Sequence, residues 1–207
     1  MSRVRFIVFS DYLCPWCYNG SVRLQRLADA KPGRVELEWR SYLLRPHPGA
    51  RRDLEKFRVY TRSWLRPAAE ADGGTFQVWT GDRGPPSHSV PPHLVAKAAA
   101  RLGPDAFRRA HEGLLRAYFA ENRDISDDDT LRALWAEWEL PAEAYETRRE
   151  PALLEQVMDE YNQAFELGVT GVPAVLLEGN PALIVGAQPF ALYERWAERA
   201  LAAAEIA

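Results

Sequence analysis

Val4-Arg5-Phe6-Ile7-Val8-Phe9-Ser10-Asp11-Tyr12-Leu13-Cys14-Pro15-Trp16-Cys17 is the stretch on which the reading of this 207-residue chain turns. Val4 to Ser10 are β-prone and mostly apolar, as a buried strand requires. After Cys17, the residues Val22, Leu24, Leu27 and Ala28 recur at roughly helical spacing up to about Ala30. Lys31-Pro32-Gly33 stops that helix, and residues 35–42 alternate as a second strand. The predicted opening is therefore β-α-β, with both cysteines at the first strand-to-helix junction.

Cys14 and Cys17 are the only cysteines. A structural disulfide explains them poorly, because a bridge over two residues constrains little of the unfolded chain. At a helix start, unpaired backbone N–H groups and the helix dipole favour an anion, so Cys14 is the expected attacking thiolate. Cys17, one turn further in, is the expected resolving thiol. Pro15 suits the first turn, where its missing N–H is no loss, and Trp16 is expected to offer apolar surface beside the sulfur. The alternatives are an inert buried pair or half of a zinc site. Zinc needs about four ligands, and His47, His88, His93 and His111, the remaining soft candidates, show no paired ligand spacing. No metal is expected.

The middle of the chain reads as mostly helical. Asp53–Trp64 is a possible helix, and Gly81 to Pro92 is read as loop. Further helices are expected over His93–Leu102, Asp105–Ala120, from the Ser126-Asp127-Asp128-Asp129 cap to about Trp138, and over Pro151–Leu167. Ala174–Leu177 and Ala182–Val185 then read as strands about a Gly179-Asn180 turn, followed by a last helix from Pro189 to Ala203. The ends are thus β-α-β and β-β-α, with a helical block between. The expected fold class is α/β, a thioredoxin-like fold with an inserted helical domain. Its boundaries are expected at residues 1–45 and 165–207 for the thioredoxin-like domain and 46–164 for the insertion.

The composition excludes several classes. Hydrophobic residues make up 47% and charged residues 27%, which supports a folded core. A net charge of −3 gives no reason to invoke nucleic acid or an anionic membrane. The pairs Arg51/Arg52, Arg108/Arg109 and Arg148/Arg149 lie among acidic residues and read as solvated helix surface. No apolar run approaches the ~20 residues of a membrane-spanning helix, and the first ten residues lack a signal-peptide pattern. The expected location is cytoplasmic. Trp39, Trp64, Trp79, Trp135, Trp138 and Trp196 read as core. His93 opens a helix and could face the cysteines, or be a surface or first-turn histidine. Asp11, three residues before Cys14, could tune the site or serve as a local cap.

Three segments together carry a resemblance. Ser10-Asp11 through Cys14-Pro15-Trp16-Cys17-Tyr18-Asn19-Gly20, Gly168-Val169-Thr170-Gly171-Val172-Pro173-Ala174 and Gly186-Ala187-Gln188-Pro189 look like the DsbA family. With Leu114-Leu115-Arg116-Ala117-Tyr118-Phe119, the match resembles its cytoplasmic FrnE-type branch. The resemblance implies the thioredoxin fold with a helical insertion and thiol–disulfide exchange through Cys14 and Cys17. It also implies a cis Val172-Pro173 bond facing the pair, where the backbone at Val172 and Pro173 receives substrate as an added strand. Pro15 and Trp16 are placed with them on the substrate side. No cofactor is implied beyond the Cys14–Cys17 disulfide; the partners are a protein substrate or a small thiol such as glutathione. Relatives resembling hydroxychromene-carboxylate isomerases and kappa-class glutathione transferases share the fold and carry one serine at the Cys14 position. A glutathione-dependent isomerase or transferase using one cysteine is therefore the alternative.

Overall fold

The computed structural model describes residues 2–49 and 53–206. Strand β1 (Val4–Ser10) leads to helix α1 (Pro15–Ala30), which ends at the predicted Lys31, and to β2 (Val35–Ser41). Helix α2 (Leu54–Thr61) continues through a 3₁₀ turn at Arg62–Trp64 into the short α3 (Leu65–Ala68). Then come α4 (Val90–Ala100), α5 (Pro104–Phe119), α6 (Asp128–Glu137), a 3₁₀ run at Ala142–Arg149 and α7 (Pro151–Glu166). Strands β3 (Ala174–Leu177) and β4 (Leu183–Val185) and helix α8 (Phe190–Ile206) close the chain. The four strands lie in the order β2-β1-β3-β4; β1 runs parallel to β2 and antiparallel to β3, and β4 is antiparallel to β3. The chain is a thioredoxin-like α/β fold with helices inserted between its halves.

Alternation along β1 decides what each face buries. Phe6 and Val8 meet Leu24 and Leu27 of α1, Val175 of β3, and Tyr193 and Ala197 of α8. Phe9 points the other way and joins Ala174, Val169, Tyr42 and Ala164 of α7. The third cluster lies among the inserted helices, around Trp64, Trp79, Leu114, Leu115, Phe119 and Trp135, and it also takes Tyr12 and Tyr18 from either side of the cysteines. Each such Phe or Leu contributes about 1.5–3 kcal/mol by leaving water. The dithiol turn is therefore pinned between two cores.

Two expectations for the middle change. Helix α4 starts at Val90, so Pro91 and Pro92 sit inside its first turn rather than in the preceding loop. A first turn has no intrahelical acceptors for its N–H groups, so consecutive prolines fit there. The arginine pairs also differ from one another. Arg108 is exposed and pairs with Asp29 and Glu112. Arg148, by contrast, is half-buried over the Tyr145 ring and hydrogen-bonded to Asp128. Arg51 and Arg52 lie outside the described residues.

Candidate active site

The site is built at the end of β1. Asp11 is fully buried, and its carboxylate accepts from the Leu13 amide at 2.7 Å and from the Leu44 amide at 2.5 Å. Its backbone carbonyl accepts from the Cys14 amide at 3.1 Å. These bonds shape the turn that delivers Cys14 as the N-cap of α1, with Pro15 as the first helical residue. The Cys14 sulfur accepts from the Cys17 amide at 3.2 Å, as a side chain at that position should. Of the two roles open to Asp11 in the sequence, the bonds it makes are those of the local turn. Burial raises its carboxyl to about 6, against the hydrogen bonds from Leu13, Ser89 and Leu44.

The two thiols, both free, differ in access. Cys14 keeps 5% of its surface exposed and Cys17 none. Burial pushes the Cys17 thiol up, well beyond the ordinary cysteine value, and its hydrogen bond with Cys14 adds to this. The Asp11 backbone and the Ser10 side chain, hydrogen-bonded to the same sulfur, act in the opposite direction. Across from the pair, the Val172–Pro173 peptide bond is cis. The Cys14 thiol donates to the Val172 carbonyl at 3.5 Å. Gly20, in the second turn of α1, permits this approach: a Cβ there would stand 3.0 Å from Pro173 Cγ. The structure therefore brings Cys14, Cys17, Val172 and Pro173 together. Pro15 and Trp16 are half-buried on the first turn of α1.

His93 is buried rather than on the surface. Its ring meets Tyr12 edge-on at 4.8 Å. Burial, with Lys97 nearby, lowers it to about 3. Among the described residues no three His, Cys, Asp or Glu side chains gather as a metal site.

Three side chains that sequence reasoning passed over hold α1 against the insertion. His111, considered in the sequence only as a metal ligand, is buried on α5. Its Nδ1 lies 2.9 Å from Tyr12 Oη and its Nε2 2.8 Å from Ser21 Oγ, so it spans the dithiol turn from both sides. Burial and Lys97 lower it to about 3 as well. Arg23 is 1% exposed and binds Glu70, Asp72 and the carbonyls of Ala187 and Gln188. Asn19 donates to the Pro67 carbonyl at 3.0 Å and accepts from the Gly74 amide at 2.8 Å. Gly73 must lack a side chain here, since its Cβ would fall 2.3 Å from Asn19 Oδ1. One signal was available in the sequence: His111 interrupts the apolar face formed by Phe107, Ala110, Leu114 and Leu115.

Comparison with known proteins places this geometry. Residues 5–196 match the model of the DSBA-like thioredoxin domain. The protein YwbO of Bacillus subtilis is 25% identical over 200 residues, covering 93% of this chain and 94% of its own. A probable DsbA oxidoreductase from Streptomyces coelicolor is similar in structure, with a TM-score of 0.75 and 26% identity over 96% of this chain and 90% of its own. The cytosolic disulfide reductase DsbM of Pseudomonas aeruginosa shares the fold at a TM-score of 0.75 and 23% identity, over 98% and 100% of the two chains. DsbM has also been solved with glutathione, and that structure matches at a TM-score of 0.71 and 24% identity, over 98% of each chain.

Proposed function

This chain belongs to the DSBA-like thioredoxin domain family, whose members are thiol–disulfide oxidoreductases, and from that premise we propose that it exchanges disulfides through Cys14 and Cys17 as a dithiol pair. Cys14 attacks a substrate disulfide and forms a mixed disulfide; Cys17 then attacks the Cys14 sulfur and releases the second substrate sulfur as a thiol. The observation that carries this reading is the difference between two thiols held on one helix turn, Cys14 keeping a little exposed surface against the Val172 carbonyl and Cys17 none. The Val172 backbone and Pro173 receive the substrate main chain, flanked by Pro15 and Trp16 on the first turn of α1. Substrates are protein disulfides or small thiols, and glutathione is the first partner to try, given the DsbM complex. The setting assigned is the cytoplasm, as for DsbM, and the finer placement is the FrnE-type branch, supported by the motifs around Cys14, Leu114 and Pro173.

The test is equilibration against graded ratios of reduced and oxidised glutathione, followed by acid quench, alkylation and mass analysis. A reversible loss of two hydrogens at one potential is expected. A lone glutathione adduct on Cys14 at every ratio would replace this reading with the single-cysteine, glutathione-dependent one.

A further inference from the structure

Between helices α1 and α5, bordered by the turn after α6, lies a cleft of about 620 Å³, within the range of small-molecule sites. Tyr18 and Val22 line it from α1, Arg109 and Gly113 from α5, and Trp138 and Glu139 from that turn. Two positions give up local stability here. Gly113 stands in the middle of α5, where glycine is a poor helix former. A Cβ there would overlap Trp138 Nε1, so the bare backbone leaves room in front of the indole N–H. Trp138 is 6% exposed, and its Nε1 is buried without a hydrogen-bond partner, whereas buried donors are normally satisfied. Glu139 is the second such position. Its amide bonds the Ala136 carbonyl, and the Leu140 amide bonds the Trp135 carbonyl, a Schellman ending to α6. The left-handed residue of that ending, at φ 54°, is by preference Gly or Asn, and here it is Glu139.

The charges around the cleft divide into paired and unpaired. Arg108 binds Asp29 and Glu112, Arg123 binds Glu137, and Arg116 binds Glu121. Arg26 lies over the Phe190 ring. Arg109 and Glu139 have no ion-pair partner among the described residues. Arg109 Nη1 instead donates to the Trp138 carbonyl at 2.8 Å, which puts its guanidinium one peptide away from Glu139. An unpaired cation and an unpaired anion thus flank Trp138 without meeting each other. A ligand that carries both charges close together answers both. We propose that this cleft binds a zwitterionic α-amino acid with an apolar side chain. Its carboxylate lies over Gly113, on Arg109 and the Trp138 indole N–H, and its ammonium is held by Glu139. The apolar side chain rests on Tyr18 and Val22. The charge-assisted hydrogen bonds fix the orientation of the ligand, and the ring and branched chain from α1 take up its apolar body.

The test uses the whole protein and fluorine NMR, with 4-fluoro-L-phenylalanine as the probe. Two comparators keep the ring and lose one charge each: 4-fluorophenylpropionate lacks the ammonium, and 4-fluorophenethylamine lacks the carboxylate. The amino acid is expected to bind about tenfold tighter than either, the worth of one hydrogen bond to a charged group. Arg109→Met and Glu139→Asn are each expected to weaken it about tenfold, and Arg109→Lys to keep part of the affinity. Both positions are exposed. Asn suits a left-handed residue, so Glu139→Asn is expected to unfold at a urea midpoint no lower than wild type. A crystal structure with the probe should place its carboxylate over Gly113. No binding, equal affinity for all three compounds, or unchanged affinity in both variants overturns the inference. The dithiol reading stands in each case, since neither Cys14 nor Cys17 lines the cleft.

Discussion

The first turn and the middle of helix α1 are held by different kinds of interaction. At the sulfur end, most of the bonds that shape the turn run between near neighbours, Asp11 with Leu13 and Cys14 and Cys14 with Cys17, and Leu44 is the more distant partner of Asp11. From Asn19 to Arg23, the helix is tied by residues 47 to 165 positions away: Pro67, Glu70, Asp72 and Gly74, then His111, then Ala187 and Gln188. The first region sets the chemistry and the second sets where that chemistry sits. If that division is right, changes at the sulfur end alter turnover more than stability, and changes in the tethers do the reverse.

The sharpest break comes from the cysteines. Cys17→Ser should abolish turnover and accumulate a mixed disulfide on Cys14, visible by intact mass, while its unfolding midpoint stays close to wild type. The next effect is on acid stability. His93 and His111 are both lowered to about 3 in the fold from an ordinary value of 6.5. The unfolded chain therefore binds more protons below 6.5, and each histidine removes about 1.4 kcal/mol of stability per pH unit as the pH falls toward 3. Asp11 acts with the opposite sign. Its folded value of about 6 lies above 3.8, so the folded state takes up the proton first and gains stability as the pH falls through that window. Denaturant titrations at pH 4 to 7 should show a net acid loss, and Asp11→Asn should steepen it. Arg23→Met comes third, with a loss of about 2–4 kcal/mol from the charged bonds to Glu70 and Asp72, read as a lower urea midpoint with exchange intact. His111→Phe keeps the ring against Trp39 but strands Tyr12 Oη and Ser21 Oγ, costing about 1–3 kcal/mol. A variant in the tether group that left stability untouched and stopped exchange would break the comparison.

The same division explains what could be read in advance. The strand, turn and helix around Cys14 are encoded within some twenty-five residues, so their order and bounds follow from local pattern. The last two strands and α8 follow equally from Gly179-Asn180 and the apolar runs beside it. His111 and Arg23 were not legible as tethers, because a histidine or arginine on a helix looks the same whether its partner is water or a residue a hundred positions away. Pro91-Pro92 was misjudged for a local reason: two prolines signal a break in most contexts and a first turn in this one.

The ion pair between Lys97 and Glu160 has a consequence for how the molecule keeps to itself. Lys97 neutralises Glu160 at 2.6 Å, and the second oxygen of Glu160 accepts from the backbone amide of Ser41 at 2.7 Å. Ser41 ends β2, the outermost strand on its side of the sheet, and Arg40 beside it is bonded to Gln163 on α7. At this point of the margin, the amide that would otherwise be open to a passing strand is taken by a side chain from α7. The opposite margin is β4, only three residues long. Strand pairing with a second copy of the sheet is thereby discouraged at the end of β2, and the shortness of β4 leaves little to pair with at the other margin.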